Sequence, residues 1–165
     1  MILLPRITEL VPKKLIGMPL RMSLATDKTS YLWRQFMQVK NTIPHRVSTD
    51  LFSVQVYSSG FNPAQFSFDT IFEKWAAVEV SRTEVVPEGM ETFLLSGGLY
   101  AVFIHKGAAQ TGEQTFRYIF ETWLPSSGYE WDERPQFEVL GSSYKNNHPD
   151  SEEEIWIPIK KGATS

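Results

Sequence analysis

The chain has 165 residues, no cysteine, and a formal net charge of −3 from 16 basic and 19 acidic side chains. That length suits one domain that buries roughly two thirds of the surface its unfolded chain exposes, and the lack of cysteine excludes a disulfide framework, a thiol nucleophile and thiolate metal ligands. The basic residues form no stripe, only the pairs Lys13-Lys14 and Lys160-Lys161, so direct nucleic-acid binding is not expected.

The start, MILLPRITELVPKK, has no basic run ahead of its short apolar stretch, and Pro5, Arg6 and Glu9 interrupt it. A secretory leader is therefore not expected and a cytoplasmic setting is the default. Strands are predicted near 6–10 and 14–23. A helix follows near 30–41, with Leu32, Trp33, Phe36, Met37 and Val39 at helical spacing. Two further strands, near 50–57 and 75–80, are separated by FNPAQFSFD (61–69). Its Phe61, Phe66 and Phe68 are too many for a bare loop and are expected to pack on the sheet rim, with a lid over a pocket as the alternative.

The segment 90–105 reads as β structure bent at Gly97-Gly98, and its apolar part, FLLSGGLYAVFI, is too short and too interrupted to span a bilayer. A second helix near 113–125 carries Phe116, Ile119, Phe120 and Trp123. Thr111 and Gln114 resemble a capping box at its start, and Pro125 to Gly128 ends it. Strands near 135–144 and 153–160 complete the chain.

The order strand, helix, strand, strand occurs twice. Trp33 and Phe116, and also Gln55 and Glu138, are separated by the same interval; VQVYSS (54–59) lies over FEVLGS (137–142), and EKWAAV (73–78) over EIWIPI (154–159). The expected fold class is therefore α+β, tandem β-α-β-β units (repeat one about 6–82, repeat two about 90–161) sharing an antiparallel sheet with two main helices. The groove between the units is the natural pocket for a ligand, and Gln55 and Glu138, at equivalent positions of the repeat, are expected to look toward it from its two halves.

Glu138, between Phe137 and Val139, is the acid out of place. Period two puts it on one face with Gln136 and Leu140, which is either the wet face of a strand or the lining of an apolar pocket. The aromatic share, 13% with five Trp, six Tyr and eleven Phe, supplies candidate pocket walls: Trp33, Phe36, Met37, Tyr100, Phe116, Phe120, Trp123 and Trp156. Tyr100, with a polar handle to satisfy, and Trp33 are the preferred contacts. Glu73 and Glu154, two residues before Trp75 and Trp156, are candidate second acids or solvent-facing side chains. His45, His105 and His148 are too far apart for a metal site, and neither a phosphate-binding glycine loop nor a Gly-x-Ser-x-Gly elbow occurs, so no metal or cofactor is expected.

LYAVFIHKG, TFRYIFETWLPSSGYEWDERPQFEVL and EEEIWIPIK together resemble the GyrI-like small-molecule-binding domain, the effector-binding module of some AraC-type and multidrug-sensing transcription regulators. The resemblance implies a duplicated β-α-β-β fold with a central ligand cleft. By motif it puts the family's pocket glutamate on Glu138, facing a lipophilic, cationic small molecule. It also implies a stand-alone copy of the module, since the chain has no room for a helix-turn-helix.

Two other activities within the resemblance are a hydrolase of reactive cyclopropane-bearing compounds, with Glu138 as the base, and a protein-interaction module like a gyrase inhibitor. Monomer and homodimer both remain compatible with the edge strands.

Overall fold

Successive side chains of a strand point to opposite faces, and this parity decides which face of the sheet each side chain takes. The structure, a computed structural model, describes residues 3–108, 112–146 and 148–162. In chain order these form β1 (Arg6–Leu10), β2 (Lys13–Met22), α1 (Thr29–Val39), β3 (Leu51–Val56), β4 (Phe72–Val80), β5 (Glu91–Leu95) and β6 (Gly98–Lys106). Next comes α2, an α-helix over Gly112–Tyr118 that widens to a π turn over Ile119–Trp123 and ends in an α turn, Leu124–Ser126. Three strands follow, β7 (Tyr129–Trp131), β8 (Gln136–Leu140) and β9 (Glu152–Lys161).

Eight strands lie side by side in the order β1-β6-β9-β8-β3-β4-β2-β5, and β7 pairs with β9. Every pairing is antiparallel. Both halves use the same ladder: β4 lies between β2 and β3 with Trp75 opposite Val54, and β9 lies between β6 and β8 with Trp156 opposite Phe137. The halves join where β3 meets β8, Ser53 opposite Glu138 and Gln55 opposite Gln136. Each also lends an edge strand to the other, since β1 pairs with β6 and β5 with β2.

One face of the sheet carries the helices. Leu32 and Phe36 of α1 bury against Ile16, Ala76 and Val78, while Ile119 of α2 buries against Ala101, Phe103, Ile155 and Ile157. The other face fills itself. The rings of Tyr100 on β6 and Phe137 on β8 are 5.3 Å apart although β9 runs between their strands, and both meet Trp156. Two strand spacings amount to roughly 10 Å, so the sheet coils toward this side. Gly17 holds the position in the first half that Tyr100 holds in the second; a Cβ there would collide with the Ala76 carbonyl and Ala77.

The expected elements are present within a few residues, with three differences. The 90–105 segment splits into β5 and β6 around Ser96 and Gly97, and Gly98 adopts a φ of 137°, a region open to glycine. The short β7 was not anticipated, and α2 contains a π turn in place of a uniform helix. Thr111 of the expected capping box lies outside the described residues.

Candidate functional site

α1 rests on β2 and β4, and α2 on β6 and β9, so the central strands β3 and β8 form the floor between the two helices. Parity puts Ser53, Gln55, Gln136 and Glu138 on this floor, because residues directly opposite in a ladder share a face. Lys74 of β4 stands opposite Gln55 and extends the row. Glu153 of β9 lies one diagonal step from Glu138, whose direct neighbour there is Ile155. Six polar side chains thus share a surface that elsewhere is apolar.

Their electrostatics are coupled. Glu138 is crowded by protein yet keeps some contact with solvent, as a group on a groove floor does. Burial raises its pKa above the usual carboxylate range, while the charges of Lys74 and His105 draw it back down. Glu153 is pushed up to about 7, chiefly by burial and then by the charge of Glu138, with Lys74 opposing. The hydroxyls of Tyr57 and Tyr144 are also raised, first by burial, with Glu138 acting on both and Glu153 on Tyr144. No ion pair among the described residues engages Glu138, Glu153 or Lys74.

Aromatic rings wall one end. Tyr57 stacks on Phe61 with centroids 4.1 Å apart and meets Phe66, Phe72 and Trp131 edge-on or tilted. Trp131 in turn meets Phe120 of the π turn at 5.9 Å. The 61–69 loop therefore packs on the rim, as expected, and also bridges the halves, its short 3-10 turn at Pro63–Gln65 touching the π turn of α2. Phe68 remains largely exposed.

The expected site residues divide by face. Glu138 and Gln55 lie on the groove floor. On α1, Phe36 is core, Trp33 is half-buried and Met37 is exposed; on α2, Phe116, Phe120 and Trp123 are half-buried around the second-half core. Tyr100 and Trp156 are not brought to the groove. They sit on the opposite face, because Trp156 is opposite Phe137, and Phe137 and Glu138 are successive residues pointing opposite ways. The Tyr100 hydroxyl donates to the Pro135 carbonyl at 2.8 Å, and the Arg134 guanidinium lies 4.6 Å above its ring. Its polar handle is thus satisfied inside the fold, with burial raising its pKa to about 12.

Glu73 and Glu154 follow their tryptophans to that far face. Each accepts the indole N–H of the residue two along, Trp75 at 2.7 Å and Trp156 at 3.1 Å. The second acid of the groove is Glu153, one residue away from the expected Glu154. Lys74, Tyr57 and Tyr144 are likewise absent from the sequence-derived set. The signal that finds them is ladder register, since Lys74 and Glu153 both alternate out of phase with the neighbouring tryptophan.

Two surface concavities lie beside this floor. One of about 360 Å³ is lined by His105, Gly107, Thr115 and Pro149, and one of about 320 Å³ by Phe61, Pro63, Trp131 and Lys160. Neither is lined by Glu138 or Glu153. The groove is distinguished by desolvated acids and aromatic walls more than by depth.

A coiled antiparallel sheet built from two β-α-β-β halves, with both helices on one side and β3 and β8 between them, is the architecture of a GyrI-like effector-binding domain. The chain belongs to the Cass2 family, described as integron-associated effector binding protein, and matches it over residues 6–159. It is 28% identical over 155 residues to the transcriptional regulator BrlR of Pseudomonas aeruginosa, covering 93% of this chain and 54% of BrlR. The chain thus spans about half the length of that curated relative.

Among solved structures, SAV2435 bound to tetraphenylphosphonium superposes with a TM-score of 0.74 at 15% identity, covering 94% of this chain and 93% of that one. The integron cassette protein VCH_CASS2 from the mobile metagenome of Vibrio cholerae does so with a TM-score of 0.66 at 18% identity, covering 96% and 99%. Among the described residues no helix is long and apolar enough to cross a membrane.

Proposed function

We propose that this chain binds lipophilic cations in the groove between α1 and α2, with Glu138 as the principal counter-charge and Glu153 as its auxiliary. The observation that carries this reading is a pair of desolvated carboxyls without ion-pair partners, on a floor flanked by aromatic side chains. An ionised carboxylate held this far from water is costly until a cation joins it. An apolar cation loses little hydration on entering, regains that electrostatic energy, and stacks its rings on the walls. Such a site discriminates by charge sign and greasiness more than by shape. The structure of SAV2435 bound to tetraphenylphosphonium supports the same ligand class here.

Calorimetric titration with tetraphenylphosphonium and with tetraphenylborate, nearly the same shape with the opposite charge, tests the reading. The phosphonium is expected to bind and the borate not to. Glu138→Gln, which keeps volume and removes charge, is expected to weaken phosphonium binding about tenfold or more, the size of a 1.4 kcal/mol interaction. Equal affinity for the two ions, or an unchanged affinity in Glu138→Gln, would overturn it.

A further inference from the structure

Gln55 is 5% exposed, and its Oε1 is, among the described residues, the one buried side-chain polar atom without a hydrogen-bond partner. Its Nε2 donates to the Ser53 hydroxyl at 3.3 Å, which fixes the amide along the floor. Buried amide oxygens are nearly always paired, and one left bare costs free energy. The same residue occupies the position in the first half that Glu138 occupies in the second. The two face each other diagonally across the junction of β3 and β8, on the helix-bearing side. A Ser hydroxyl can serve either end of an amide; beside a carboxylate that attracts cations, the orientation with Oε1 bare is the one a ligand donor satisfies.

Resting on the reading that the groove takes lipophilic cations, we infer that its preferred ligands are protonated primary or secondary amines, whose N–H groups bridge Glu138 and Gln55, and that Gln55 is the residue that sets this preference. A carboxylate and an amide oxygen placed as diagonal cross-strand neighbours can both accept from one ammonium group. A quaternary cation satisfies the charge but offers no donor, so Oε1 stays unpaired in its complex. Lys74, opposite Gln55, supplies no alternative donor: the Gln55 amide bonds only through its Nε2, to the Ser53 hydroxyl, and its Oε1 has no partner among the described residues.

The test uses a matched pair, 1-naphthylmethylammonium and its N,N,N-trimethyl derivative, with tetraphenylphosphonium as reference, titrated into the whole chain. The wild type is expected to bind the primary ammonium about tenfold more tightly than the trimethyl compound, the selectivity one satisfied buried acceptor confers. Gln55→Met is expected to abolish that preference, because it removes the acceptor and keeps the apolar bulk. Gln55→Glu retains an acceptor and is expected to keep or enlarge the preference, which covers the case in which Gln55→Met does not fold.

No preference in the wild type, or a preference undiminished in Gln55→Met, overturns the inference. If phosphonium binding depends on Glu138 while the amine preference is missing, the inference alone falls. If phosphonium does not bind, the groove reading falls first and this one with it.

Discussion

Two glutamates on adjacent strands carry the electrostatics of the groove, and their burial has opposite consequences for the empty and the occupied protein. Glu153 has its pKa raised from 4.5 to about 7 in the folded chain. A carboxyl so raised contributes stability in full below 4.5, and that contribution is lost as pH climbs to about 7, because the folded state then has to hold a charge it solvates poorly. In urea unfolding, the stability of the wild type relative to Glu153→Gln is therefore expected to fall between pH 5 and pH 8, by on the order of 1–2 kcal/mol once solvent contact is discounted. Tetraphenylphosphonium carries a fixed charge, so its affinity is expected to move the other way. It should tighten several-fold from pH 6 to pH 8 as Glu153 ionises. A wild-type affinity flat across that range would show that Glu153 does not meet the cation.

The elements divide into those whose job is core and those that present side chains to the groove, and adjacent residues of α1 show the contrast. Phe36 has no solvent exposure and sits among Ile16, Ala76 and Val78, whereas Met37 is 45% exposed. Phe36→Ala is expected to cost about 3–5 kcal/mol in denaturant unfolding, and Met37→Ala about 0.5 kcal/mol or less. A large cost for Met37→Ala would place α1 in a different rotation. Both helices and eight of the nine strands, β5 and β6 as one bent run, were legible from periodicity and turn residues, because each runs long enough to show its period. The three-residue β7 is too short to show one, and the π turn leaves no mark in a pattern of apolar spacing.

The floor of the site was legible in Glu138 and Gln55 but not in its other members. A strand's sequence says which residues share a face, and Glu73 with Trp75, or Glu154 with Trp156, were grouped correctly on that ground. It does not say which of the two faces the helices cover. That depends on how β3, β8 and β9 are aligned across long connections, and the alignment sends the tryptophans and their acids to the far side while turning Lys74 and Glu153 toward the groove.

At the scale of the molecule, the duplication produces a candidate site that neither half contains alone. Gln55 and Lys74 come from the first half, Glu138 and Glu153 from the second, and the edge strands β1 and β5 cross over to tie the halves together. Four of the five tryptophans report on this arrangement. Trp75 and Trp156 lie on the face away from the helices with their indole N–H groups bonded to Glu73 and Glu154, while Trp33 belongs to α1 and Trp131 joins the aromatic end of the groove.

The most direct measurement is a titration of the ¹⁵N-labelled chain with tetraphenylphosphonium, followed through the indole N–H resonances. Ring currents of the bound cation are expected to shift Trp33 and Trp131 and to leave Trp75 and Trp156 in place. Shifts confined to Trp75 and Trp156 would put the ligand on the opposite face of the sheet and contradict the account.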